Sequence, residues 1–170
     1  EDMQKIILYS IAFWMCSIRL FSQNESPSYH PPLKIPLILA GNFGELRPNH
    51  FHMGLDFKTQ GKEGLELHAV EDGYVSRVKV ATYGYGKVVY VDHPNGKTSV
   101  YAHCSKFAGK LDSIVRNEQY RMQKFEVELF PAAGEISLKK GEVFALSGNT
   151  GGSTAPHLHF EIRDTKTEHA

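Results

Sequence analysis

From Leu37 onward the chain alternates apolar and polar positions in short runs, the period-two pattern of strands buried on one face. Residues 64–70 alternate and end at Glu71-Asp72-Gly73, a turn signal; residues 74–80 alternate again. Tyr83-Gly84-Tyr85-Gly86 is a glycine-rich break, and residues 87–92 form a β-branched run. His93-Pro94-Asn95-Gly96 predicts a hairpin turn, because Asn-Gly takes positive φ at little cost, and residues 97–104 return as its second strand. Four strands joined by short turns predict one antiparallel sheet. Between residues 110 and 123 the period changes: Leu111, Ile114 and Val115 have helical spacing, with Asp112 or Ser113 at the start. Residues 125–130, stopped by Pro131, and then 134–138, 142–147 and 158–163 read as further strands. The expected fold is mainly β, a compact antiparallel, sandwich-like domain over residues 37–170 with one short helical insertion.

The first residues have a different pattern. Lys5 precedes an apolar run over residues 6–18, shorter than the roughly 20 apolar residues that a spanning helix needs. This predicts a signal peptide over residues 1–22, cleaved near Ser22, and hence export to the periplasm or cell envelope without stable membrane insertion. Trp14 and Met15 are too large to precede a lipidated Cys16. Residues 23–36, with Pro27, Pro31, Pro32 and Pro36, read as a Ser/Pro-rich linker or a wrapping strand.

Composition changes this picture in two respects. The 170 residues carry 19 Lys plus Arg and 19 Asp plus Glu, so the chain lacks the basic footprint of a nucleic-acid or anionic-lipid binder. Signal removal takes Lys5, Arg19, Glu1 and Asp2, two of each sign, and the balance persists. It also takes Cys16, leaving Cys104 with no intramolecular partner. The second respect is the 9 His, which direct attention to where they stand.

Two clusters and one isolated residue stand out. In His157-Leu158-His159-Phe160-Glu161 the alternation puts His157, His159 and Glu161 on one strand face, with Leu158, Phe160 and Ile162 on the other. In His52-Met53-Gly54-Leu55-Asp56 a glycine lets the backbone bend so that an imidazole and a carboxylate converge. Adding one His of the other cluster makes a His₂Asp set suited to Zn²⁺. Three protein ligands leave a fourth position open, as in catalytic sites, and the lack of paired cysteines argues against a structural zinc. A cupin site also begins with His-x-His, but its Glu stands several residues further on than Glu161. His103 ends the hairpin's return strand. Its neighbour Cys104 points to the other face and reads as a small buried hydrophobe.

Three blocks resemble the lysostaphin and LytM type zinc metallopeptidases that cut peptidoglycan peptides. They are His52-Met53-Gly54-Leu55-Asp56, Tyr101-Ala102-His103, and Gly148-Asn149-Thr150-Gly151 running to Pro156-His157-Leu158-His159-Phe160-Glu161. They occur in the family's order within residues 36–163. The resemblance implies one zinc ion on His52, Asp56 and His159, and catalytic roles for His103 and His157 without saying which is the base. It implies hydrolysis of peptide cross-links in bacterial peptidoglycan by a metal-activated water. The alternative is a non-catalytic wall-binding or amidase-activating module, since some members have lost ligands; a third reading is a zinc peptidase acting on other peptides. Residues 106–130 depart from simple members by a helix and an extra strand. Asn42 and Arg47 precede the metal block and are candidates for lining the groove. His30, His50, His68, His93 and His169 read as structural or exposed. The resemblance leaves open whether the bond is Gly-Gly or D-Ala–diaminopimelate. Gln23 at the end of the signal peptide favours a Gram-negative exporter and the direct link.

Overall fold

The computed structural model describes residues 28–48 and 50–170; the expected signal peptide lies outside the described residues. The strands are β1 (Leu39–Gly41), β2 (Leu55–Lys58), β3 (Glu66–His68), β4 (Gly73–Val80), β5 (Lys87–Asp92), β6 (Lys97–Ala102) and β7 (Lys106–Phe107). After the helix α1 (Gly109–Met122) come β8 (Val127–Leu129), β9 (Ser137–Leu138), β10 (Val143–Leu146) and β11 (His157–Asp164). The mainly β class and the single helix among the described residues agree with the patterning. Among the described residues no helix is long and apolar enough to cross a membrane.

An eight-stranded antiparallel sheet runs β1-β2-β11-β6-β5-β4-β8, with β9 also on β4. A three-stranded sheet, β3-β10-β7, lies against it. The core fills the space between them: Val75, Val89, Val91, Tyr101 and Leu158 from the large sheet meet Leu67, Phe107 and Phe144 from the small one. Tyr101 and Phe144 meet edge to face, with ring centroids 4.8 Å apart.

One expectation needs correction. The four strands from residue 64 to residue 104 do not form one sheet, because β3 leaves the meander and pairs with β10. Alternation specifies which face of a strand is apolar but not which neighbour it pairs with, and the turn at residues 71–73 is a corner between sheets.

Helix α1 buries Leu111 and Val115 and has no side-chain cap at its N-terminus. It ends at Gln123 in the left-handed region, where the Gln123 N–H bonds back to Gln119 and Tyr120 carbonyls. The following β8 pairs with β4 and extends the large sheet at that edge. Residues 28–36 lie against the domain: Leu33 is buried in the core, the His30 N–H donates to Val70 O, and the His68 N–H to Pro32 O.

Candidate metal centre and catalytic groove

The site stands on three adjacent strands of the large sheet. β11 pairs with β2 on one side and β6 on the other, and His159 is directly opposite both Asp56 and Ala102. Residues directly opposite share a face, so the side chains of Asp56 and His159 rise side by side. The core side of the same strands carries Leu158 and Phe57, which anchor them.

His52 reaches this pair from a loop. The loop is held by the His52 N–H on Glu45 O and the Gly44 N–H on His52 O. Gly54 makes the approach possible: a Cβ there would stand 2.4 Å from Phe160 O, 2.7 Å from Glu161 Cγ and 3.0 Å from His159 Nε2. Gly41 does the same on the other side, since a Cβ would stand 2.5 Å from both Arg47 Nη2 and Asp56 Oδ2.

Three atoms converge. His52 Nε2 lies 3.0 Å from Asp56 Oδ1 and 2.9 Å from His159 Nδ1, and His159 Nδ1 lies 2.9 Å from Asp56 Oδ1. All three residues are buried. The outer nitrogens decide the tautomers. His52 Nδ1–H donates to Asn42 O at 2.7 Å, and His159 Nε2–H donates to Glu161 Oε1 at 2.8 Å. The inner nitrogens therefore present lone pairs to each other and to a carboxylate. Three acceptors within about 3 Å repel unless a cation sits among them. Tetrahedral zinc with bonds of about 2.0–2.1 Å sets its ligands roughly 3.3 Å apart, so the donor set and its size fit that ion.

The electrostatics point the same way. When protons stand in for the cation the same preference is visible: burial alone would raise the Asp56 carboxyl, but hydrogen bonds from protonated His157 and His159, and their charge, hold it well below the carboxylate range. Burial would depress His159, but its bonds to Asp56 and Glu161 outweigh this and raise it. The triangle favours positive charge.

Behind His159 stands a second group of residues. Glu161, 2% exposed, accepts from His159 Nε2–H and the Tyr85 hydroxyl on Oε1, and from Arg163 Nε–H on Oε2. The Tyr85 ring stacks on His159 with centroids 5.0 Å apart. Such outer partners fix ring orientation and raise ligand basicity. Burial pulls the Glu161 carboxyl up, but its bonds to His159, Arg163 and Tyr85 prevail and bring it down to about 2, from an ordinary 4.5. A carboxyl depressed on folding stabilises the fold above its unfolded pKa. That stability is lost as pH falls from about 4.5 through about 2. Thermal unfolding of Glu161→Gln is therefore expected at a lower temperature than wild type at neutral pH, with a flatter decline between pH 4.5 and 2. Identical pH slopes in the two proteins would contradict this account.

His103 and His157 stand beside the triangle, their rings 4.7 Å apart. His103 follows the end of β6 with φ at 60°, in the left-handed region. Its Nδ1–H donates to Thr150 O at 2.8 Å, which leaves Nε2 with a lone pair. Burial pushes its pKa down to about 4, against the raising effect of that bond. Thr150 is itself placed by a close loop contact. Its Oγ1 donates to Cys104 O and accepts from the Lys87 N–H, and Gly86 lies where a Cβ would meet Thr150 C at 2.4 Å. His157 Nδ1–H donates to Ala155 O at 2.8 Å, and its Nε2 is 3.5 Å from Asp56 Oδ1.

The structure thus brings together His52, Asp56, His103, His157 and His159. Cys104 is fully buried and burial pushes its thiol up to about 12. His68 and His93 are buried elsewhere, bonded to Gly141 O and to Asp72 O and Ser99 Oγ. Sequence reasoning missed Glu161 and Tyr85 as partners of His159, and Arg163 behind Glu161, although alternation had put Glu161 on the right face. Arg47 touches Asp56 itself, with Nη2 3.0 Å from Oδ2.

Residues 50–120 match the model of Peptidase family M23. An uncharacterized metalloprotease of Haemophilus influenzae is 37% identical over 119 residues, 70% of this chain and 19% of that protein. The DD-carboxypeptidase/endopeptidase Mpg of Neisseria meningitidis serogroup B is 31% identical over 66% of this chain and 20% of its own length. The murein hydrolase activator EnvC of Escherichia coli K12 is 32% identical over 71% of this chain and 22% of its own. The structure of Helicobacter pylori Csd3 superposes with a TM-score of 0.52 at 30% identity, covering 81% of this chain and 32% of that one. The chain spans about a fifth of the length of these curated relatives. The matching family model, the blocks in family order and the shared antiparallel fold agree: the chain belongs to peptidase family M23.

Proposed function

We propose that this chain is a zinc-dependent endopeptidase that hydrolyses peptide cross-links of bacterial peptidoglycan outside the cytoplasm. The observation that carries the reading is the triangle of His52 Nε2, Asp56 Oδ1 and His159 Nδ1, whose lone pairs converge within about 3 Å. Family membership and the endopeptidase Mpg among the relatives support the reaction class. A bound zinc ion supplies Lewis acidity, which brings the pKa of an attacking water towards about 7 and polarises the scissile carbonyl.

The chain's own residues do the rest. His103 is held neutral by burial, and with Nδ1–H committed to Thr150 it accepts a proton at Nε2. His157 presents Nε2 on the same side; with Nδ1–H committed to Ala155, its imidazolium form donates Nε2–H to the oxygen that gains charge as the carbonyl is attacked. The proton taken from water is then returned to the leaving amine. Glu161 and Tyr85 keep the His159 ring in place throughout.

The similarity to EnvC favours a second reading, an activator without chemistry of its own. A complete and correctly tautomerised ligand set has no use in such a module. Mass spectrometry of muropeptides digested by the zinc-loaded chain separates the two readings. Cross-linked dimers are expected to disappear, to persist after chelation, and to disappear again when zinc is restored. Digestion that is indifferent to the chelator would overturn the metal-dependent reading, and no digestion with zinc present would favour the activator.

A further inference from the structure

A groove of ≈ 550 Å³ opens from the metal triangle towards the β1 side. Asp56 and His157 line it together with Lys58, Gln60 and residues 154–156. Two cations line it, Arg47 and Lys58, and Asp56 is its one acidic residue. Asp56 is committed to the triangle, so its charge is matched when a metal is held there.

The two cations differ in their partners. Arg47 Nη2 is shared between Asp56 Oδ2 and Glu45 Oε2, each at 3.0 Å. Arg47 Nε is buried and has no hydrogen-bond partner among the described residues, a donor awaiting an acceptor. Lys58 makes no ion pair with any described residue, although other lysines of the same sheet, Lys79 and Lys97, each have a carboxylate. The register places Lys58 opposite His157, one row beyond the Asp56–His159 row. Two residues along a strand advance about 7 Å on one face. An ammonium on that row is therefore within reach of the residue next to the bond held at the triangle.

We propose that this groove reads a free carboxylate on the residue that flanks the scissile amide, with Lys58 and Arg47 as its cations. The preferred substrate is then a direct peptide cross-link carrying a carboxylate and not a neutral glycine bridge. The inference rests on the endopeptidase reading and narrows its substrate class. A charge-assisted bond in a partly enclosed groove is stronger than its neutral counterpart. Discrimination arises because an amide or glycine leaves the ammonium unpaired.

The test uses three peptides: a D-alanyl–diaminopimelate peptide with the carboxylate beside the scissile amide free, the same peptide amidated there, and pentaglycine. Turnover is measured with the zinc-loaded chain, and equilibrium binding with its zinc-loaded His103→Ala variant. The acid is expected to exceed the amide by about tenfold or more in kcat/KM and in affinity. Lys58→Gln is expected to bring both ratios close to one, chiefly by raising KM for the acid, whereas Lys58→Arg keeps them. Equal handling of acid and amide by the wild-type chain, faster cleavage of pentaglycine, or unchanged ratios in folded Lys58→Gln would each overturn the proposal. If no peptide is cleaved, the endopeptidase reading fails. The groove is then judged by binding alone, where equal affinity for acid and amide overturns it.

Discussion

Replacing His159 by alanine is expected to abolish both stoichiometric zinc binding and hydrolysis of cross-linked peptides. His159 supplies one corner of the triangle, with Nδ1 2.9 Å from both His52 Nε2 and Asp56 Oδ1. Removal leaves two donors and an opening where a third must stand. Loss of an outer partner alone weakens metal sites by roughly 10–100-fold, and loss of a direct ligand must exceed that. Lewis acidity contributes several kcal/mol to hydrolysis, so the rate is expected to fall by about 10³-fold or more. The fold should survive, because Leu158 and Phe160 on the other face hold β11 to the core. Metal analysis of the purified variant, turnover of cross-linked muropeptides and circular dichroism check the three parts. Undiminished hydrolysis by a zinc-free, folded His159→Ala protein would sink the metallopeptidase reading outright.

The two halves of the site differ in how far sequence discloses them. Period two is local, so His157, His159 and Glu161 are legible as neighbours on one face, and the strand carrying them is where alternation puts it. The pairing of Asp56 with His159 is not local. It depends on β2 lying beside β11 in one particular register between residues 103 positions apart, which no repeat in either segment specifies. Family resemblance supplied that pair; alternation left His157 and His159 equivalent. The same limit explains why β3 was assigned to the wrong sheet. Glu161 was visible on the correct face, but its bond to His159 depends on ring orientation, which Tyr85 and Arg163 help to set from distant positions. The glycines of residues 83–86 and 148–152 read as a loop break and a motif. In the fold they allow close backbone contact, with a Cβ at Gly151 meeting Gly86 N at 2.3 Å. That contact holds Thr150, whose carbonyl fixes the His103 tautomer.

His103 is the residue at which metal binding and chemistry come apart. Its Nε2 carries a lone pair on the side of the groove, yet it contributes no atom to the triangle. His103→Ala is therefore expected to retain one zinc per chain and to lose activity by roughly 10²–10⁴-fold, the range for removal of a positioned proton acceptor. The loss should fall mainly on kcat, since the proton moves only as the bond is attacked. The backbone complicates a single substitution, because φ at this position is 60° and alanine is strained there. Asparagine adopts that region more readily and keeps a polar side chain, but it cannot accept a proton near neutrality. If His103→Asn folds as well as wild type and holds zinc but remains as inactive as His103→Ala, strain is not the cause. Recovery of most of the activity in His103→Asn would instead make His103 a structural residue and leave His157 as the proton acceptor.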